Sequence, residues 1–243
     1  KRILVRAAGP GLQPFGVSGV MQDPRLTLRS AAGEIVATND DWTAGTNVPE
    51  LIQAFSRVGA FPFQHDDRDA ALIVTLPAGA YTAVVEAASG GSGVALVEAY
   101  DLSDDTSVSR LNNLSSRGQV GTGESVLIAG LVVQGGAPRR LLIRGIGPAL
   151  SAFGVQGALA DSTLQIFRGN QLIAENDNWE TSIHATASQV RRAIQSAGAF
   201  ALPPGGRDSA ILLTLPPGDY SAVLSGKTGA TGVGLIEVYE VPN

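Results

Sequence analysis

The chain contains no cysteine, which excludes disulfides and thiolate metal sites but leaves the redox compartment open. Aromatic residues make up only 5% of it, and histidine occurs twice. The longest apolar run, Val126 to Val133, is far too short to span a bilayer, so membrane insertion is not expected. Basic stripes are missing as well. Net charge is −5 and the arginines are scattered, which argues against nucleic acid or an anionic membrane as partner. What the chain has in quantity is glycine, 30 residues, with 13 prolines, a composition that favours short strands and tight turns. Its 243 residues, 44% of them hydrophobic, suffice for two modules that each close a core.

Two modules are what the sequence spells out. Lys1 to Leu12 returns as Arg139 to Leu150, and Asn39-Asp40-Asp41-Trp42 returns as Asn176-Asp177-Asn178-Trp179. Arg68-Asp69 answers Arg207-Asp208, Leu76 to Thr82 answers Leu215 to Ser221, and Val94 to Tyr100 answers Val233 to Tyr239. A period this long indicates duplicated domains rather than a short-repeat solenoid.

Within each module the pattern reads as strands with one helix. Arg2 to Arg6 and Arg140 to Arg144 alternate, and Gly9-Pro10 and Gly147-Pro148 end those strands. A hairpin follows, turning at Gly33 or Gly169. In the first copy Asn47 is placed to cap a helix, with Pro49 in its first turn and Glu50 at the capping-box position. Leu51, Phe55 and Val58 mark its apolar face and Gly59 its end. In the second copy Ile183, Ala187, Val190 and Ile194 share that spacing before Gly198. Ala70 to Leu76 and Ala210 to Leu215 read as buried strands, and two further strands close each module. The expected fold is all-β: two tandem antiparallel β-sandwiches, jelly-roll-like, each with one short inserted helix. The expected boundaries are residues 1–102 for module one, 103–117 for a connector and 118–243 for module two.

The stretch from Ser103 to Pro138 occurs once although the modules occur twice. A structureless loop of that length is improbable in a compact protein, and Val126 to Val133 reads as a strand. The segment is expected to supply opening strands of module two, leaving module one without their equivalent. Open sheet edges invite strand addition, so head-to-tail assembly of copies is one expectation. A truncated start, or strands never needed, is the other. The chain begins at Lys1 inside a strand, which fits either a cleaved leader and export or a fragment.

Oxygen ligands are densest at the repeated Asn-Asp turns. Asp23, Asn39, Asp40 and Asp69 in module one, and Asp161, Asn176, Asp177 and Asp208 in module two, are candidates for a calcium cage. The alternative is that these residues close Asx-turns. Trp42 and Trp179 are expected to plug the sandwich ends rather than to form a sugar-stacking platform. Glu98 and Glu237 lie in apolar strands and need partners, for which Arg6 and Arg144 are the natural candidates. Catalysis is not expected. His65 and His184 do not correspond between the copies, and Gly121 to Ser125 lacks the spacing of a nucleophile elbow. No glycine pair opens a helix as a phosphate loop would.

Asp23 to Leu28, Gly33, Asn39-Asp40 and Leu76 to Thr82, with their counterparts in the second copy, resemble bacterial pre-peptidase C-terminal domains. The resemblance covers roughly Asp23 to Tyr100 and Asp161 to Tyr239, while the helix and the strand before Gly9-Pro10 depart from it. It implies β-sandwich modules appended to exported enzymes and surface proteins, some of which bind calcium or glycans. The chain also looks like repeated modules of large exported proteins of environmental bacteria. The function expected is a non-enzymatic structural subunit of a bacterial surface layer, stalk or extracellular filament, located outside the cell or at its surface. It would require no cofactor and would take as partners copies of itself or other surface proteins. The alternative is a glycan- or protein-binding accessory module of a secreted enzyme or adhesin.

Overall fold

The computed structural model describes residues 1–45, 47–64, 68–103 and 113–242, which fall into two compact units, Lys1–Arg110 and Leu111–Asn243. In module one the strands are β1 (Arg2–Ala8), β2 (Pro24–Ser30), β3 (Ile35–Asn39), β4 (Ala70–Thr75), β5 (Tyr81–Ala87) and β6 (Leu96–Asp101). The helix α1 (Val48–Val58) lies between β3 and β4. They form two antiparallel sheets, ordered β4-β1-β6 and β3-β2-β5.

The two faces of β1 explain the layering. Ile3, Val5 and Ala7 point between the sheets, where they meet Leu26 and Leu28 of β2. Leu4 and Ala8 point the other way and pack under Leu51, Ala54 and Phe55 of α1. The helix therefore covers the outer face of one sheet, so β1 is buried on both sides and Arg6 with it. A strand that alternates charge and apolar residues reads as half-solvated, yet here both faces have cover.

Module two repeats the plan with two more strands. These are β7 (Asn113–Val120) and β8 (Leu127–Val133), followed by β9 (Arg139–Ile146), β10 (Ser162–Arg168), β11 (Gln171–Asn176), α2 (Ala187–Ser196), β12 (Ser209–Leu215), β13 (Gly218–Gly226) and β14 (Gly232–Glu240). Its sheets run β12-β9-β14-β7 and β11-β10-β13-β8. Successive strands β7 and β8 thus sit in opposite sheets and form an arch, one strand extending each sheet edge. Five residues that the sequence reading assigns to the connector, Asn113 to Arg117, belong to β7, where they pair with Leu235 to Tyr239. Of the rest of that connector, Ser103 follows β6 and bonds the Arg2 amide (3.2 Å), and residues 104–112 lie outside the described residues.

Gly9-Pro10 and Gly147-Pro148 end β1 and β9 as expected, and each also opens a 3-10 helix, Pro10–Phe15 and Pro148–Phe153, because proline fits the first helical positions where no N–H partner is needed. Two local expectations need correction. Asn47 makes no side-chain cap, and Glu50 pairs with Arg2 instead of reaching back. Ile183 is not in the helical face at all: α2 starts at Ala187, with a capping box between Thr186 and Gln189, and Ile183 is 88% exposed.

Candidate functional site

The eight oxygen-bearing residues are each engaged by the fold. Asp69 precedes β4 and receives N–H donors from Gly9 (2.6 Å) and Gly11 (3.0 Å), at the start of the first 3-10 helix. Asp208 takes the same role for Gly147 (2.8 Å) and Ala149 (3.2 Å). Both carboxylates are fully buried, and orphan amides at a helix start are what they satisfy. Burial pushes the Asp208 carboxyl up from its ordinary value, against the pull of those two amides and of Arg144.

Asn39 Oδ1 accepts from the Ala71 amide (2.9 Å) and its Nδ2 donates to the Asp41 carbonyl (2.9 Å). Asn176 bonds the Ala210 amide (2.9 Å) and the Asn178 carbonyl (2.8 Å) in the same way. Asp23 pairs with Arg68 at 3.1 Å and Asp161 with Arg207 at 3.6 Å. Asp40 faces Arg25 at 3.8 Å, and Asp177 bonds Lys227, which holds its carboxyl below the usual range. Among the described residues no three His, Asp or Glu side chains gather as metal ligands. The oxygens of the calcium cage expected from the sequence are taken up by backbone amides and by cations.

The buried Arg–Glu pairs are assembled as expected. Arg6 Nε lies 3.2 Å from Glu98 and Arg144 Nε 3.1 Å from Glu237, with both arginine side chains at 0% exposure. Tyr100 donates to Glu98 (2.6 Å) and Tyr239 to Glu237 (2.7 Å). Around Arg6 the rings of Phe55, Phe61 and Phe63 stand at 4.4, 4.6 and 4.0 Å from the guanidinium carbon. Phe200 stands over Arg144, at 4.2 Å, and its carbonyl accepts from Arg144 Nη1 (2.9 Å). Burial lowers both guanidinium pKa values, opposed by the carboxylate beside each. Tyr100 is pushed up to about 12 by burial and by its bond to Glu98, and Tyr239 shifts in the same direction. The tyrosines and phenylalanines of these clusters gave no sequence signal as partners, though Tyr100 and Tyr239 follow the two glutamates at one spacing.

Trp42 and Trp179 are 3% and 1% exposed and donate to the carbonyls of Gln64 (3.3 Å) and Pro203 (3.0 Å). Buried rings present no platform to a sugar, but they do not plug the sandwich ends either: Trp42 packs with Leu51, Phe55 and Phe63 and Trp179 with Val190 and Ile194, in the layer between the outer sheet face and the helix. His184 is exposed beside Ile183, at a shallow recess that Leu172 and Asp177 also line; His65 lies outside the described residues.

The feature that separates the modules is at the sheet edges. In module two β8 pairs with β13 and β7 with β14. Among the described residues no strand pairs with the corresponding outer edges of β5 and β6. The interior registers this. Ile236 of β14 is 1% exposed and Val238 9%, whereas their repeat equivalents in β6, Val97 and Ala99, are exposed, Val97 to 44%. Tyr220, Ala222 and Leu224 of β13 are buried, while Tyr81, Ala83 and Val85 of β5 are only partly so. Val97 and Ala99 sit opposite Ala7 and Val5 of β1, so they point at the sandwich interior and not at ordinary surface.

No family model matches the chain, and no curated protein matches it. Among solved structures it is similar to the pre-peptidase C-terminal domain of a collagenase from Bacillus anthracis, at 12% identity and TM-score 0.31, over 52% of this chain and 89% of that one. It is also similar to the major capsid protein P2 of bacteriophage PM2, at 9% identity and TM-score 0.22, over 100% and 87% of the two chains. A third similarity is to the VP2 subviral particle of infectious bursal disease virus, at 7% identity and TM-score 0.22, over 98% and 56%. At such scores neither family nor function follows. Among the described residues no helix is long and apolar enough to cross a membrane.

Proposed function

We propose that the protein is a non-enzymatic, exported structural unit of a bacterial surface layer, stalk or extracellular filament, in which β-sandwich modules interlock through their sheet edges. One contrast carries this reading: Val97 is 44% exposed where Ile236, its equivalent, is 1% exposed. A sheet edge with interior-facing apolar residues left in solvent is a pairing surface, and sandwich proteins otherwise cover or charge such edges. The chemistry of the buried polar groups supports the same view. Arg6, Glu98 and Tyr100, like Arg144, Glu237 and Tyr239, bond one another and hold strands together. Export draws its support from the likeness of the Asp23 to Leu28 and Leu76 to Thr82 motifs to appended exported modules. The reading needs no cofactor.

Size-exclusion chromatography and electron microscopy of the chain at increasing concentration test it. Concentration-dependent, regular oligomers through direct pairing of the open β5 and β6 edges between copies are expected; a monomer at every concentration that is retained on polysaccharide overturns it in favour of a binding module. That second reading has one observation behind it, the recess beside β11 where Ile183 stands 88% exposed next to His184.

A further inference from the structure

The molecule contains its own worked example of what covers such edges. In module two the arch Asn113–Val133 places Leu127, Ala129 and Leu131 opposite Leu224, Ala222 and Tyr220, and Ser116 and Leu114 opposite Ile236 and Val238. Ala129 and Val133 of β8 and Val120 of β7 are buried there. The two strands turn at Gly121 to Ser125, closed by the Gly121 N–H to Ser125 carbonyl bond (2.6 Å).

We propose that module one is an acceptor for a second arch of this type, contributed by polypeptide outside these 243 residues, with one strand on β5 and the other on β6. This rests on the interlocking reading above and specifies its geometry. The repeat fixes the register: the positions equivalent to Leu127, Ala129 and Leu131 fall opposite Val85, Ala83 and Tyr81, and those equivalent to Ser116 and Leu114 opposite Val97 and Ala99. Counting excludes a simple exchange between copies of this chain. Among the described residues each copy has one arch and two acceptors, so moving the arch from module two to a neighbour's module one opens as many edges as it closes. The occupant must be an additional arch, with small or apolar residues at alternate positions of both strands. Its strands must differ in one respect from a flat β-addition peptide, since they enter opposite sheets and cross the sandwich end between them.

Cross-linking tests this cleanly because the chain has no cysteine. The probe is a synthetic peptide of residues 113–138 carrying Ala129→Cys, added to the full chain carrying Ala83→Cys, a near-isosteric change at a partly buried site. The disulfide is expected to form at least about ten-fold faster than with a peptide carrying Ile128→Cys, whose side chain points to the opposite face. Amide exchange should slow along β5 and β6 and stay unchanged along β13 and β14, whose own arch is tethered and outcompetes the peptide. A fusion of residues 113–138 directly before Lys1 gives a second measurement: it should raise the unfolding midpoint of module one. Replacing the fused Leu127, Ala129, Leu131 and Val133 by serine should remove the gain. Equal cross-linking rates, or a fusion that protects neither β5 nor β6, overturn the proposal. If the arch docks but the chain alone never polymerises, the assembly reading fails and this inference stands; polymers that form while the arch does not dock give the reverse.

Discussion

Arg144 has no exposed surface and is held by Glu237 at 3.1 Å and by the Phe200 carbonyl at 2.9 Å. Removing the guanidinium leaves the Glu237 carboxylate buried without a countercharge. Arg144→Met is therefore expected to destabilise module two by about 3–5 kcal/mol, the usual cost of breaking a buried pair from one side. Arg144→Met combined with Glu237→Leu and Tyr239→Phe removes the stranded carboxylate and the hydroxyl that bonded it, and should recover most of that loss. Urea unfolding of the single and triple variants checks this; a triple variant as unstable as the single one would contradict it. The glutamate–arginine pairing was legible in the sequence because a carboxylate inside an apolar strand demands a cation. The aromatic lid was not, since Phe200 is brought over Arg144 by a loop beyond α2 that no periodicity describes. The same limit applies to the calcium expectation. Repeated Asp and Asn residues do mark a shared role, but sequence cannot show that Asp69 and Asp208 point at amides of the preceding 3-10 helix.

Gly147 shows how that helix start is built. A methyl group there would stand 2.4 Å from the Leu159 carbonyl oxygen, a backbone atom that cannot swing aside. Gly147→Ala is expected to destabilise module two by about 1–3 kcal/mol, as overpacking does, and to loosen the two amide bonds to Asp208. Gly130 in β8 is the contrast: a methyl group added there meets nothing, and its φ is not positive. Gly130→Ala should instead stabilise by about 0.5–1 kcal/mol, since glycine inside a strand carries extra chain entropy into the unfolded state. Thermal melts of both variants decide it, and a neutral Gly147→Ala would show that the turn relaxes. At this scale the strands and hairpins were well legible, because period-two patterning and Pro-Gly turns act locally. Helix starts were read less well. Asn47 occupies a cap position without a side-chain cap bond, and Glu50 is drawn to Arg2 of β1, a tertiary partner, instead of reaching back. Thr186 and Gln189 do form a capping box, but Ile183 offered a false continuation of the apolar face.

Duplication makes the two modules an internal experiment in what an edge strand contributes. Their inner strands, turns and buried pairs correspond, and the arch is the main difference in their sheets. The unpaired Ser103 to Pro138 segment announced that difference in the sequence; what could not be read was that its strands would divide between opposite sheets. In module one Val97 and Ala99 are exposed and Tyr81, Ala83 and Val85 are partly so, where module two buries the equivalents. Full burial of one such large side chain stabilises by roughly 1.5–3 kcal/mol, so incomplete burial across the set amounts to a deficit of the order of a few kcal/mol. Denaturant slopes of about 1–3 kcal/mol per molar urea turn that into a midpoint lower by roughly 1–2 M for module one. Each module carries one buried tryptophan, Trp42 or Trp179, so fluorescence can follow them separately. Trp179→Phe leaves only Trp42 to report on module one, and Trp42→Phe leaves only Trp179 to report on module two. The Trp42 signal is expected to move first. Coincident transitions would mean that the uncovered edges leave no energetic trace, because the exposed interior of β5 and β6 would then already be as stable as its covered counterpart.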